Sequence, residues 1–183
     1  MRLLILGGTA WLGGHVARAA LRGGHEVTCL ARGSSGEAPA GVHFVQSDRD
    51  RSGAYDRVTR QTWDAVVDVS RHPGQVRAAA AALSGQSASY VFIPSVSAYR
   101  DKDIPGEDEA AALLPPLERD VMESMQTYGE AKVACEQHVL GSFGPARSFI
   151  VRVGLIGGPG DLFDRSGYWP LRFARPAAAN VRS

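Results

Sequence analysis

The sequence predicts an α/β fold in which helices cover both faces of a doubly wound parallel sheet, in three αβα layers. Two observations lead to this prediction. Six apolar, strand-like runs recur along the 183 residues, and helical or polar segments separate them. The first run passes directly into a glycine-rich turn and then into a helical pattern. Strands that alternate with helices form parallel sheets, because each return crossing uses a helix.

The first fourteen residues, MRLLILGGTAWLGG, have the form of a nucleotide-binding βαβ unit. Gly7 and Gly13 take the outer positions of a glycine-rich turn whose middle position is Ala10. A turn with little side chain lets backbone N–H groups and the positive end of the next helix face a pyrophosphate. Alanine permits close approach but not a positive φ, so we expect a slightly altered loop. A glycine-rich turn alone is a weak motif, but the strand before it and the helix after it favour a Rossmann-type dinucleotide site.

The remaining elements follow in chain order. Strands are predicted over residues 25–31, 42–46, 65–69, 89–95 and 148–153, and helices over about 55–61, 76–83 and 117–140. A long segment over residues 100–116, rich in Asp, Glu and Pro, is predicted to be a surface loop or flap.

The tips of the second and third strands are expected to meet the adenosine half of a dinucleotide. Arg32 stands where an acid would bond the 2′-hydroxyl of NAD, and a base there accommodates the 2′-phosphate of NADP. With the hydroxyls of Ser34 and Ser35, Arg32 favours NADP(H) over NAD(H); the alternative is a solvated surface arginine. Asp48 is placed to accept a hydrogen bond from the adenine amino group, and its alternative role is an N-cap for the next helix.

Three residues suit proton and hydride chemistry at a carbon that bears oxygen. Tyr128 and Lys132 lie four apart on a predicted helix, so they can point at the same spot. A neighbouring ammonium lowers the pKa of a tyrosine and makes it a competent acid or base. Ser95, at the end of the preceding strand, would polarise a substrate oxygen. A Tyr-x-x-x-Lys pair is common by chance on exposed helix faces, but Lys132 is one of only two lysines in the chain.

Composition argues against several other classes of function. The formal net charge is +1, so no strong field favours nucleic acid or an anionic membrane. Cys29 and Cys135 have no paired spacing, which argues against a disulfide framework or a zinc site, and the histidines share no ligand spacing. We expect a cytoplasmic protein with buried thiols, no metal site, no leader and no membrane span.

With these residues, the chain resembles the short-chain dehydrogenase/reductase superfamily, in particular its extended and atypical NAD-dependent epimerase/dehydratase branch. The matching stretches, in the family's order, are GGTAWLG, LARG, SDRD, PSVSAY, YGEAK and VRVGLIGGPGD. The resemblance implies an NAD(P)-dependent oxidoreductase, epimerase or dehydratase that acts on a small-molecule carbonyl, a sugar nucleotide or a secondary metabolite. It also implies a homodimer formed through the alanine-rich helix and the helix of Tyr128.

The same resemblance assigns residues to roles. Ser95, Tyr128 and Lys132 take the catalytic positions, and Lys132 also reaches the nicotinamide ribose. Trp11 is implied to lie at the pyrophosphate, and its alternative role is packing. The remaining cofactor residues implied are Gly7, Ala10, Trp11, Leu12 and Gly13 at the pyrophosphate, Arg32 at the 2′-phosphate, Asp48 at the adenine, Ile156 near the nicotinamide, and Thr9, Arg49 and Val69 elsewhere in the site.

Relatives of this family carry a further C-terminal portion that forms the substrate pocket. The family's onward sequence stops near residues 175–176, so residues 1–160 are expected to form the NAD(P)-binding domain and 161–183 the start of a substrate-binding region. Three explanations stay open: a naturally short member, a truncated product or a fragment of a longer chain. Two other functions also stay open: a non-catalytic nucleotide sensor and, against the near-neutral charge, an RNA-binding relative.

Overall fold

The computed structural model describes residues 1–101, 103–161 and 167–174. The chain divides into two compact units, Met1–Val153 and Gly154–Ser183. In the described part of the second unit, one short helix spans Tyr168–Ala174. No helix within the described residues has the length and apolar character needed to cross a membrane.

The first unit is built on a six-stranded sheet in which every pairing is parallel, as the sequence predicts. The strands lie in the order β3-β2-β1-β4-β5-β6. In chain order the elements are β1 (Arg2–Leu6), α1 (Trp11–Arg22), β2 (Glu26–Ala31), β3 (His43–Gln46), β4 (Trp63–Asp68), α2 (Pro73–Leu83), β5 (Ser87–Phe92), α3 (Tyr128–Phe143) and β6 (Ser148–Ile150).

Helices cover both faces of the sheet, because alternate residues of each buried strand point to opposite sides. In β1, Leu4 and Leu6 join a core cluster with buried residues of α2 and α3. Ile5, between them, joins a second cluster that includes Ala17 of α1. The chain therefore has the predicted three-layer αβα architecture, and the cysteines are buried thiols as expected, Cys29 in β2 and Cys135 in α3.

The polar helix predicted over residues 55–61 is wrong, since this segment is a series of turns. Gly53 has a φ of +72°, and the N–H of Val58 bonds three residues back to the Tyr55 carbonyl. The side chains of Tyr55 and Val58 are buried in a core cluster that also contains Leu4 and Leu6 of β1. Tertiary burial of these side chains thus replaces the regular helix that local composition favours.

The predicted helix over residues 117–140 begins eleven residues later, at Tyr128, and ends at Phe143. The preceding backbone bonds to other elements instead of to itself: the N–H of Leu117 donates to the Glu130 carbonyl, and the Asp120 carbonyl accepts from Gly74. Prolines at 115 and 116 also disfavour an earlier helix start. The flap before it is irregular, as predicted, and a bridge between Tyr99 and Leu113 closes its base.

Candidate cofactor cleft and active site

A cleft of about 240 Å³ opens at the carboxyl ends of the central strands. The chain leaves β1 toward β2 and leaves β4 toward β5, so the connections diverge here, and this is the point at which α/β sheets bind ligands. Three segments supply most of its wall: the turn after β1, residues 32–35 after β2, and residues 69–72 after β4. Ser47, Arg49 and Gln75 complete it.

The glycine-rich turn has the geometry that an anion site requires. Gly7 has a φ of +88°, which a side chain rarely adopts. A Cβ on Gly13 would overlap the carbonyl of Gly7, so the first turn of α1 packs directly on the loop. Ala10 is the N-cap residue with a φ of −77° and makes no side-chain cap bond. Alanine therefore fits at this position, and the uncapped N-terminus of α1 favours an anion.

Some predicted cofactor residues line the cleft and others do not. Among the described residues that line it are Gly7, Thr9, Ala10, Arg32, Arg49 and Val69. The described lining leaves out Trp11, Leu12, Gly13, Asp48 and Lys132. Ile156 belongs to the second unit.

Trp11 and Asp48, which lie outside the lining, make local contacts instead. The ring of Trp11 packs edge-on against His15, with 5.3 Å between centroids. Asp48 Oδ1 accepts from the N–H of Asp50 at 3.1 Å. This bond closes a turn, and the helix that Asp48 would cap does not form.

Arg49 is held by a buried carboxylate below the cleft. Its guanidinium makes two parallel bonds to Asp68, with Nη1 to Oδ1 at 2.9 Å and Nη2 to Oδ2 at 2.7 Å. It also donates to the Tyr55 hydroxyl and to the Gln75 carbonyl. The Arg49 guanidinium holds the pKa of Asp68 below its usual range despite complete burial of the carboxyl. Arg49 therefore lines the cleft with most of its N–H groups already engaged.

Lys132 lies in the interior, with 2% of its surface exposed. Its ammonium donates to the carbonyl oxygens of Ser70, at 2.6 Å, and Ile93, at 3.2 Å. Burial lowers the pKa of this ammonium to about 8. The ammonium also lies 5.7 Å from the centroid of the Tyr128 ring, so the structure brings together the two residues that helical spacing paired.

Ser95 follows β5 and forms a parallel bridge with Val153. Its Oγ accepts from the N–H of Ser97 at 3.1 Å. A Cβ on Gly129 would overlap the Ser97 carbonyl, so the first turn of α3 packs closely on the loop that begins at Ser95. Glycine after Tyr128 thus permits the close approach between the tyrosine's helix and the serine's loop.

Of the segment after β4, sequence reasoning named Val69 and missed the three residues that follow it. Ser70, Arg71 and His72 line the cleft, and His72 Nδ1 accepts from the N–H of Met122 at 3.2 Å. Burial, together with the charge of Arg71, lowers the pKa of His72 and favours its neutral form. Topology could have indicated these residues. They follow a predicted buried strand, and the carboxyl ends of neighbouring parallel strands meet at one edge of the sheet.

A second and larger cleft, of about 860 Å³, lies between the flap and the end of β6. Val96 and Tyr99, which belong to the segment after Ser95, line this cleft. Arg152 lines it, and its guanidinium is paired with the buried carboxylate of Glu136 at 2.7 Å. Four of the described residues that line this cleft are acidic: Asp101, Glu107, Asp108 and Glu109.

A parallel sheet in this order, with a glycine-rich turn and a cleft at its switch point, defines the class of Rossmann-type dinucleotide-binding proteins. Residues 3–82 match the model of the NAD dependent epimerase/dehydratase family. This match agrees, over residues 3–82, with the resemblance stated from the motifs.

One curated protein similar to the chain is a reductase by name. The chain is 30% identical over 160 residues to 2′-dehydrokanamycin reductase of Streptomyces kanamyceticus, a match that covers 85% of this chain and 43% of the relative. The chain thus spans less than half the length of this curated relative.

Solved structures show the same fold. The enzyme WbmG of Bordetella bronchiseptica, in complex with NAD, superposes with a TM-score of 0.70 at 19% identity, over 96% of this chain and 60% of that one. TunA, an NAD dependent NDP-hexosamine 5,6-dehydratase involved in tunicamycin biosynthesis, gives a TM-score of 0.68 at 22% identity, over 88% of this chain and 57% of that one.

Proposed function

We propose that this chain carries the cofactor-binding and acid–base residues of a nicotinamide-dependent oxidoreductase, epimerase or dehydratase, with NADP(H) preferred. Ser95, Tyr128 and Lys132 are the proposed catalytic residues. The family of residues 3–82 and the similarity to a reductase support the nicotinamide-dependent class. Residues 1–160 are proposed as the NAD(P)-binding domain and 161–183 as the start of a substrate-binding region.

The observation that best supports this proposal is the position of Lys132. A buried ammonium is costly unless it is paired, and the partners of this one are carbonyl oxygens that carry only partial charge. Its position beside the Tyr128 ring stabilises a phenolate. The ammonium thus favours proton transfer at the Tyr128 hydroxyl near neutral pH.

The residues of the cleft fit a dinucleotide. The Gly7 turn and the uncapped start of α1 would hold the pyrophosphate, Arg32 the 2′-phosphate and Asp48 the adenine. Thr9, Trp11, Leu12, Gly13 and Val69 complete the proposed cofactor site, together with Arg49. The cofactor, when bound, supplies the hydride. Ser95 then orients the substrate oxygen, and Tyr128 donates or accepts its proton.

The preference for NADP(H) rests on Arg32, which is exposed at the tip of β2 and lines the cleft. In Arg32→Ala, NADPH is expected to bind about tenfold more weakly while NADH binding stays the same, because an arginine–phosphate bond is lost. Fluorescence titration of nicotinamide measures both affinities. Arg22→Ala, at an exposed arginine ending α1, serves as the matched control. An equal loss of affinity for NADPH and NADH would indicate that Arg32 is only a solvated surface arginine.

Tyr128 provides the test of chemistry. In Tyr128→Phe, reduction of a carbonyl substrate is expected to fall by at least about 100-fold, since the proton donor is removed, while the Kd for NADPH stays the same. NADPH consumption measures the turnover, and the Kd of the same variant is the control for folding. Normal turnover by the variant would exclude the proposed role of Tyr128.

The larger cleft suggests which substrate class to try first. The acidic residues in its lining, Asp101, Glu107, Asp108 and Glu109, would disfavour a diphosphate and favour a cationic substrate, and Arg152 is already paired with Glu136. Among carbonyl compounds, sugar nucleotides and secondary metabolites, we therefore favour an amine-bearing metabolite with a ketone. The similarity to a protein named 2′-dehydrokanamycin reductase supports this order of trial.

The second candidate function is a non-catalytic protein that binds or senses NADP(H). The chain spans about half the length of its relatives, and this candidate predicts cofactor binding without turnover of any carbonyl compound. A homodimer and a cytoplasmic location remain part of the proposal, and RNA binding is disfavoured by the net charge of +1.

A further inference from the structure

Asp68 ends β4 directly beneath the cofactor cleft and is completely buried. Its carboxylate accepts four bonds from protein groups. Two come from Arg49, one from the Tyr90 hydroxyl at 2.7 Å, and one from the backbone N–H of Ser70 at 2.8 Å. The last of these reaches the wall of the cleft, because Ser70 lines it.

The Ser70 residue is held from two sides. Its N–H donates to Asp68, and its carbonyl accepts from the Lys132 ammonium at 2.6 Å. Arg49 adds a link to the first turn of α2 through the Gln75 carbonyl. A continuous series of bonds therefore runs from the Arg49–Asp68 pair through Ser70 to Lys132.

Stability alone does not account for a buried ion pair at this position. The desolvation free energy of a buried ion pair can equal or exceed the electrostatic attraction between its charges. Proteins in which apolar side chains replace such a pair are often as stable. What a carboxylate offers and an apolar side chain cannot is an acceptor for the Ser70 N–H. That bond anchors the backbone at Ser70, within residues 69–72, which form one wall of the cleft.

We propose that Asp68, held by Arg49, is a positioning residue: through the Ser70 residue it fixes the cleft wall over residues 69–72 and the place of the Lys132 ammonium. This inference rests on the proposed function where it concerns cofactor affinity. The order of the wall itself can be measured without any cofactor.

The test compares Asp68→Asn with Tyr90→Phe. Asp68→Asn removes the charge and leaves one acceptor oxygen for the four donors, the Ser70 N–H among them, whereas Tyr90→Phe removes only the hydroxyl that reaches the carboxylate from within the core cluster. Hydrogen exchange is measured on the full chain over residues 69–72, with the amides of β1 as the reference for global opening. The Kd for NADPH is then measured by fluorescence.

In Asp68→Asn, exchange over residues 69–72 is expected to accelerate relative to β1, and the Kd for NADPH to rise roughly tenfold, the effect of about one lost hydrogen bond. In Tyr90→Phe, both are expected to match the wild type. Unchanged exchange in Asp68→Asn, or equal effects of the two variants, would overturn the inference.

The two proposals fail in different ways. If the wild-type chain binds neither NADPH nor NADH, the proposed function fails, and the exchange data still decide the inference. If Asp68→Asn does not fold, the triple variant Arg49→Met, Asp68→Leu, Tyr90→Phe replaces the charges by apolar groups. A folded triple variant with fast exchange over residues 69–72 supports the inference, and wild-type exchange there contradicts it.

Discussion

Lys132→Met is expected to remove a pH-dependent part of the folding stability. Burial lowers the pKa of Lys132 from 10.5 to about 8, whereas in the unfolded chain the ammonium keeps its ordinary pKa. Between these values the unfolded chain binds more protons than the folded chain, so the contribution of this lysine to stability rises with pH. Below pH 8 the folded protein bears the full cost of the buried charge.

The measurement is the difference in unfolding free energy between wild type and Lys132→Met, from urea titrations at pH 7 and pH 10. This difference is expected to shift by roughly 2.5 kcal/mol in favour of the wild type as the pH rises. Taking the difference cancels the thiol of Cys29, whose pKa burial raises to about 11. The same difference at both pH values would show that Lys132 titrates normally.

Gly13→Ala is expected to abolish measurable cofactor binding. The added Cβ would overlap the Gly7 carbonyl and press on the backbone of Gly8, and backbone atoms cannot rotate away. The loop must then move away from the start of α1, so that the backbone N–H groups of the two no longer converge on the pyrophosphate. NADPH fluorescence titration measures this loss, and thermal melting reports the accompanying destabilisation.

Gly141→Ala is the matched control for this prediction. Gly141 lies inside α3, and a Cβ added there would extend into open space. Alanine at this position is expected to leave NADPH affinity unchanged and to raise stability by about 0.5–1 kcal/mol, because glycine is a poor helix former. NADPH binding by Gly13→Ala at wild-type affinity would exclude the glycine-rich turn as the pyrophosphate site.

Local patterns were enough to predict the strands and the layer arrangement. Buried parallel strands have continuous apolar runs, such as residues 65–67 in β4, and each run is separated from the next by a segment of different composition. The pairing of Tyr128 with Lys132 was also predictable, because helical spacing is a local property. Their chemical roles and the preference for NADP(H) remain predictions.

The predictions that failed concern segments whose hydrogen bonds are made with distant parts of the chain. The segment before Tyr128 bonds to α2 and α3 and forms only a short 3-10 helix, Met125–Thr127. Tyr55 is held by Arg49 and Gln75 within turns. Propensity cannot anticipate such bonds, because the partners lie up to 50 residues away, as for Met122 and His72.

The sequence by itself determined the class of fold and the place of the glycine-rich turn, since both follow from the order of apolar runs and glycines. Only the tertiary structure decided that Arg49 pairs with Asp68, that Ser70 joins this pair to Lys132, and that the Lys132 ammonium is buried. The physical reason is that charge pairing and desolvation depend on which side chains the sheet brings together, and neighbouring strands in the sheet are distant in sequence.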